Sequence, residues 1–322
     1  MGFLWSQFFV TPAFPTDSFA GQTAIITGAN VGLGLEAARH LARLDAARVI
    51  LAVRNVAAGE EARQSIEAST GRSGVCEVWE LNLASYESVC AFAHRASQLP
   101  RLDILLENAG LATQKFALAE GHERTITVNV ISTFLLALLL LPKLRDTAVQ
   151  HPDTRPHLTI VSSEVHAWTT LPEWKQTNTF TALDDAAATN MDERYPTSKL
   201  LEVLVVREWV TRMADSPVIL NMLNPGLCHS SLSRESGWTL ELLKTIMARS
   251  TEVGSRTLVA GAAAGPESHG AYMTDGRFAN DALSAFARSA EGEKAQKKVW
   301  QELAEILETI RPGVTRNLYS SD

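Results

Sequence analysis

Alternating strand and helix patterns predict an α/β protein: one doubly wound (Rossmann), mostly parallel sheet of seven strands, helices on both faces, in a single domain. Three observations carry this. Short apolar runs rich in β-formers recur along the chain, separated by helical patterns. The first run passes through a glycine turn directly into a helix. No linker-like shift in composition divides the 322 residues, which can bury one large core.

Thr23 to Ile26 is the first strand. It leads into Thr27-Gly28-Ala29-Asn30-Val31-Gly32-Leu33-Gly34, and Leu35 to Leu44 continues as a helix. Strand, glycine turn and helix N-terminus form the context of a dinucleotide cradle. Gly28 permits the tight turn, Gly32 lets backbone approach a pyrophosphate, and Gly34 lets the helix pack close to the strand. The spacing Gly-x-x-x-Gly-x-Gly departs from the commoner Gly-x-Gly-x-x-Gly. Arg48 to Val53 is the second strand, followed by Arg54-Asn55. A carboxylate in this place reads a ribose 2′-hydroxyl, whereas a basic residue accommodates a 2′-phosphate. Arg54 and Asn55 therefore favour NADP(H) over NAD(H).

Gly59 to Ser69 reads as a helix, Cys76 to Leu81 as the third strand ending at Asn82-Leu83, and Ser85 as the cap of a helix reaching Gln98. Leu102 to Leu106 is the fourth strand and ends in Glu107-Asn108-Ala109-Gly110, where small residues let a flat ring approach the backbone. Helical signals run from near Leu118 through Asn129 to Leu144. Val130 to Leu141 is apolar almost all round and too short for a membrane span, so a helix buried between sheet and subunit partner is expected.

Leu158 to Val161 is the fifth strand, ending at Ser162-Ser163. The irregular stretch 164–193 holds Trp168, Trp174 and Phe180, and a loop this long in a compact domain is usually functional. A helix then runs to about Met213. Val218 to Leu223, ending at Asn224-Pro225-Gly226, is the sixth strand, and 227–250 a lid-like segment with Cys228, Ser230 and Trp238. Glu252 to Ala264 is a helix, Gly270 to Thr274 the seventh strand, Lys294 to Ile310 an amphipathic helix, and 312–322 a polar tail. The domain spans 19–311, with the insert 164–193 and the lid inside it.

Composition removes several classes of function. Net charge is −7 and no basic stripe exists, so nucleic acid is not the expected partner. Cys76, Cys90 and Cys228 fit neither a disulfide framework nor a zinc site, which points to a reducing, cytoplasmic compartment. The histidines never fall at metal-ligand spacing, and no metal is expected. The leading segment 1–18 begins MGFLWSQFFV, without the basic region of a signal peptide. It reads as an apolar arm packed on the body or on a partner, with shallow membrane contact the minority reading.

The chemistry centres on Tyr195-Pro196-Thr197-Ser198-Lys199. A tyrosine and a lysine four apart on a helix share one face. The cation favours the tyrosinate, which brings proton exchange by the phenol toward neutral pH. Pro196 is tolerable in a first turn. The glycine turn, Arg54, Asn82, Asn108-Ala109-Gly110, Ser163 and Pro225-Gly226 all fall at predicted strand ends, the ligand-binding rim of such folds.

In that combination the chain resembles the short-chain dehydrogenase/reductase family from about Phe19 to Ile310. Ser162 to His166, the long insert and Tyr195 to Leu200 are similar to its retinol-dehydrogenase-like branch, and the aromatic leading arm is similar to those of fungal biosynthetic reductases. The resemblance implies an oxidoreductase that moves hydride between a nicotinamide and a carbonyl or alcohol. Tyr195 would be general acid and base, Lys199 would bind the nicotinamide ribose and depress the tyrosine pKa, and Ser163 would bond the substrate oxygen. Asn129 would hold a relay water through its backbone, kinking its helix. Pro225, Gly226, Cys228 and Ser230 would border the nicotinamide, and Asn82-Leu83 the adenine. A homodimer or homotetramer through the Asn129 and Tyr195 helices is also implied. Three features depart from the family pattern: Asn82 replaces the usual Asp, Glu107 replaces the first Asn of Asn-Asn-Ala-Gly, and the stretch from Ser163 to Tyr195 is unusually long. The expected substrate is bulky and apolar, retinoid-, steroid- or polyketide-like, with Trp168, Trp174 and Trp238 as candidate pocket walls. The competing expectation is a non-redox protein of the same fold, which binds a ligand or templates a cyclisation or isomerisation.

Overall fold

A computed structural model describes residues 3–213, 215–229 and 248–319. Ser230, Trp238 and most of the lid-like segment 227–250 lie outside the described residues.

The strands are β1 (Thr23–Thr27), β2 (Arg48–Val53), β3 (Cys76–Glu80), β4 (Ile104–Glu107), β5 (Leu118–Ala119), β6 (His122–Glu123), β7 (His157–Val161), β8 (Ile219–Asn224), β9 (Tyr272–Thr274) and β10 (Arg277–Phe278). The main sheet has eight strands in the order β10-β9-β8-β7-β4-β1-β2-β3. All its pairings are parallel except β9 with β10. The strand order reverses between β1 and β4, the switch point at which such sheets bind ligands.

The doubly wound sheet is therefore as the sequence predicts, with one strand more than the expected seven. The extra strand follows from Asp275-Gly276. Both residues have positive φ, 54° and 71°, and they join Thr274 to its partner Arg277. That is the two-residue turn that suits a hairpin. Arg277 and Phe278 are exposed, so no apolar alternation marks the strand.

Helices α2 (Gly32–Arg43) and α3 (Val56–Thr70) cover one face of the sheet, together with a later helix, α9 (Thr251–Ala263). Small residues such as Ala37, Ala38 and Gly254 let them pack closely. On the other face lie α4 (Tyr86–Ser97), α6 (Ser132–Gln150) and α8 (Met191–Val210). Ser85 caps α4 as its sequence suggests, its side chain accepting from Ser88 N–H. A three-residue helical turn, α5 (Arg124–Ile126), and a π-helical turn, Thr127–Ile131, run straight into α6. The whole rod Arg124–Gln150 is long and apolar enough to cross a membrane, but 83% of its most apolar window is buried inside the molecule. It is the core helix of this face.

Four expectations change. Residues 118–123 form the β5–β6 hairpin, not helix. Pro196 lies in the second turn of α8, because the helix starts at Met191 with Asn190 as its cap. The tail is docked: Val314 and Leu318 are buried, and Arg145 donates to the carbonyls of Asn317 and Leu318. The faces of α6 and α8 expected to meet a partner subunit are covered within the chain. The helix α10 (Ala290–Ile310) packs on α8, and the tail packs on α6. Trp209 of α8 lies edge-on to Trp300 of α10 at 5.6 Å.

The insert 164–193 is structured, with 3₁₀ turns at Glu164–Trp168 and Pro172–Lys175 and the short helix α7 (Thr179–Leu183). Its anchor is Arg194, buried beside Tyr195. Arg194 donates to Leu183 O at 3.0 Å and Thr189 Oγ1 at 2.8 Å, and lies 3.6 Å from buried Glu123. Phe180 is core, 1% exposed.

Candidate active site

The glycine turn leaves β1 at the switch point. Gly28 and Gly32 both take positive φ, 68° and 64°. A Cβ on Gly32 would meet nothing within 4 Å, so the turn is open above it. A Cβ on Gly34 would lie 2.6 Å from Asn108 Nδ2 and 2.7 Å from Gly28 O, which fixes glycine there by contact with the strands. The N-terminus of α2 carries no side-chain cap; Val31 precedes it in an extended conformation and is 41% exposed. Free N–H groups at this end suit an anion, and Asn30 and Leu33 flank it, half-buried. The open glycine backbone and the uncapped helix together fit a dinucleotide pyrophosphate.

Other predicted cofactor residues stand around this turn. Asn108 donates from Nδ2 to Thr27 O at 2.9 Å, and the N–H groups of Asn108 and Ala109 both reach Thr27 Oγ1 at 2.9 Å. These bonds hold Asn108-Ala109-Gly110 against β1. Arg54 is exposed at the end of β2. Asn55 caps α3, its Oδ1 accepting from Ala58 N–H at 3.2 Å. Asn82 Oδ1 accepts from Ala84 N–H at 3.1 Å, which leaves its amide N–H₂ for a ligand; Leu83 is buried.

Beyond β8, Pro225 is buried and Gly226 has φ 78°. Cys228 Sγ packs where a Cβ on Gly254 would stand, and burial pushes its thiol up to about 12, so the group is a packing residue and a poor nucleophile. The leading segment forms a helix, α1 (Phe3–Phe9), seated on this loop. Gln7 bonds both the N–H and the C=O of Leu227, at 3.1 and 2.7 Å. Arg249 ties Ser6 O and Val10 O to Asp275. The arm is thus part of the wall beside the Pro225-Gly226 loop.

The four predicted catalytic residues converge at the ends of β4 and β7. Asn129 is fully buried inside the π turn, where Ser132 N–H reaches Thr127 O. Its side chain bonds both backbone groups of Leu111, at 2.7 and 2.9 Å, and Ser198 Oγ at 2.9 Å. Ser163, half-buried just past β7, lies near the half-buried Tyr195 phenol and lowers its pKa; its Oγ accepts from Val165 N–H. Ser162 points elsewhere, donating to Lys199 O. Lys199 Nζ lies 5.6 Å from the centre of the Tyr195 ring. It donates to Val161 O at 2.9 Å and Glu202 Oε1 at 2.8 Å. An ammonium has three donors, so one remains for a ligand.

Lysine does not win the balance on Tyr195 in the free protein. Burial pushes the phenol above its ordinary value and the Glu202 charge adds to this, while Lys199 and Ser163 oppose them. Lys199 is held above its own ordinary value despite burial, by Glu202 first and Tyr195 second.

Three supporting residues were not assigned these roles from the sequence. His166 Nδ1 lies 2.7 Å from Ser163 O, an acceptor, so Nδ1 carries the proton; Nε2 then accepts from Ser284 N–H at 3.0 Å. Glu202 sits one helical turn beyond Lys199 on the same face, which the sequence does display. Arg194 joins the catalytic helix to the insert. Of the aromatic candidates, Trp174 packs against the core, whereas Trp168 is 69% exposed on the turn that follows Ser163.

A family model described as short chain dehydrogenase matches residues 22–150. Short-chain dehydrogenase anuD of Penicillium roqueforti (strain FM164) is 48% identical over 98% of this chain and 84% of its own. Short chain dehydrogenase/reductase dmxR8 of Cryptosporiopsis sp. (strain 8999) is 48% identical over 98% of this chain and its whole length. The fold is shared with a structure described as the Pseudomonas aeruginosa RhlG/NADP active-site complex, at TM-score 0.60, 22% identity, and coverage of 81% and 97% of the two chains. A 3-ketoacyl-(acyl-carrier-protein) reductase from Brucella melitensis, complexed with NADH, superposes at TM-score 0.60 and 20% identity, over 80% of this chain and 97% of that one. With relatives of this closeness along nearly its full length, the chain belongs to the short-chain dehydrogenase/reductase family.

Proposed function

We propose that the protein is an NADP(H)-dependent oxidoreductase that interconverts a carbonyl and an alcohol on a bulky apolar substrate. The observation that carries the reading is the Lys199 ammonium 5.6 Å from the centre of the Tyr195 ring, with Ser163 beside the phenol, at the strand ends next to the open glycine turn. The nicotinamide, when bound, supplies or accepts the hydride.

Ser163 and Tyr195 present two hydroxyls to one substrate oxygen. In reduction both donate to the oxygen as its negative charge grows, and Tyr195 gives up its proton. In oxidation the phenolate takes the proton back. Lys199 holds the phenolate by charge and has a donor to spare. Asn129 fixes Leu111 and Ser198, and a relay water would be held at its π turn. Arg54, exposed at the end of β2, supports the choice of NADP(H) over NAD(H). Trp168 at the rim supports an apolar substrate.

The three unbridged cysteines favour the cytoplasm. With the α6 and α8 faces covered by the chain itself, a homo-oligomer would assemble through another surface.

The test is hydride transfer from NADPH to a panel of bulky apolar ketones and aldehydes, in wild-type protein and Tyr195→Phe. Turnover should fall by about 10²–10⁴ in the variant, with NADPH affinity little changed. Equal rates in both would remove Tyr195 from the chemistry, and no turnover with any NADPH acceptor would favour the non-redox alternative.

A further inference from the structure

Behind Lys199 lie two carboxyl groups that the proposed reaction leaves unused. Glu202, 2% exposed, meets Lys199 Nζ through Oε1; its Oε2 has no hydrogen-bond partner among the described residues. Glu107, also 2% exposed, has no partner at normal hydrogen-bond geometry on either oxygen among the described residues. Glu107 ends β4 and is paired with Ile160 of β7, and the next residue of β7, Val161, accepts from Lys199. Side chains alternate along a strand, so Glu107 faces the same side as Leu105, whose core cluster includes Leu200 and Val203 of α8. Glu107 therefore faces the side of the sheet on which α8 carries Lys199 and Glu202, and the Glu202 charge acts on it.

Two buried carboxylates with a single cationic donor between them cannot both stay charged. Glu202 has a cation at 2.8 Å, and Glu107 has none among the described residues. We infer that Glu107 and Glu202 form a one-proton carboxyl pair: Glu107 stays neutral, and the charged Glu202 is a positioning residue that anchors Lys199 and weakens its pull on Tyr195.

The groups acting on the pair are few. Lys199 and Tyr195 come from the helix of Glu202, Ser162 from the end of β7, and Thr27 from β1. Burial raises both carboxyls; Thr27 opposes this at Glu107, Lys199 and Ser162 oppose it at Glu202, and the Glu202 charge raises Glu107 further. The same charge raises Tyr195. Glu107 stands where the family pattern has asparagine, and Glu202 lies three residues beyond the lysine of Tyr-x-x-x-Lys. The role of Glu202 toward Tyr195 rests on the proposed reaction; the proton on Glu107 does not.

Two measurements separate these parts. Infrared difference spectra of the cofactor-free protein, recorded in H₂O and D₂O near neutral pH, should contain a carboxylic-acid C=O band that Glu107→Gln removes and Glu202→Gln keeps. Absence of a Glu107-dependent band would overturn the shared proton, whatever the enzyme does. The pH profile of alcohol oxidation should then move to lower pH by roughly one unit in Glu202→Gln, a tenfold change in proton affinity. Glu107→Gln should leave it in place, and Glu202→Asp should restore it. A lower rate or stability with an unmoved midpoint would make Glu202 a packing residue and overturn its positioning role. If no substrate turns over, the infrared result still decides the pair, and the failure belongs to the proposed reaction.

Discussion

Asn129→Ala should cost stability before it costs chemistry. The asparagine is 0% exposed and makes three hydrogen bonds, two to Leu111 and one to Ser198. Ser198 in turn donates to Tyr195 O at 2.8 Å, so the side chain couples the loop after β4 to α8. Each such bond contributes about 0.5–1.5 kcal/mol net, and groups left unpaired in the interior add to the loss. The expected destabilisation is about 2–4 kcal/mol. For a chain of this length the unfolding entropy converts that to a fall in Tm of about 3–6 °C. Differential scanning calorimetry of the cofactor-free protein reads it directly. An unchanged Tm would refute the bracing role, and any loss of rate would then belong to the proposed relay.

Other substitutions test other links. Arg54→Asp should weaken NADPH binding by at least tenfold and leave NADH binding nearly unchanged, measured by cofactor fluorescence; equal effects on both would show that Arg54 does not read the 2′-phosphate. Gly34→Ala drives a methyl against Asn108 and the Gly28 carbonyl. It should cost about 1–3 kcal/mol and reduce affinity for both cofactors alike, and a stable variant with normal binding would contradict the packing. His166, buried and neutral, has its pKa pushed down by burial. Its share of stability is whole above its unfolded pKa of about 6.5 and declines as pH falls below it. His166→Asn should therefore flatten the acid side of the stability curve by up to about 1.4 kcal/mol per pH unit; an unchanged slope would mean that His166 does not titrate on unfolding.

The parts of this protein that read clearly in sequence are those set by local chemistry. A glycine turn needs positive φ and close approach, strand ends need small residues, and Ser85 must cap a helix; each leaves a signature within a few residues. Tyr195 and Lys199 are legible for the same reason, and the i, i+3 spacing of Lys199 and Glu202 is a local signal of the same kind. What stayed hidden depends on distant contacts. Arg194 looks like a surface residue until Glu123 and the carbonyl of Leu183 surround it. Gln7 acquires its role from Leu227, and the polar tail its order from Arg145 on α6. The apolar faces of α6 and α8 call for a cover, but the pattern does not distinguish a second subunit from the chain's own α10 and tail. The Asp275-Gly276 turn was a local signal, masked by a partner strand of two exposed residues.

The most direct test of the account is a calorimetric titration of the purified protein with NADPH and then with NADH. Tight binding of NADPH and weak binding of NADH is the predicted result, since the glycine turn, the free end of α2 and Arg54 would then act together. Failure to bind either nucleotide would contradict the central claim, because the residues gathered at the switch point would have no hydride donor to serve.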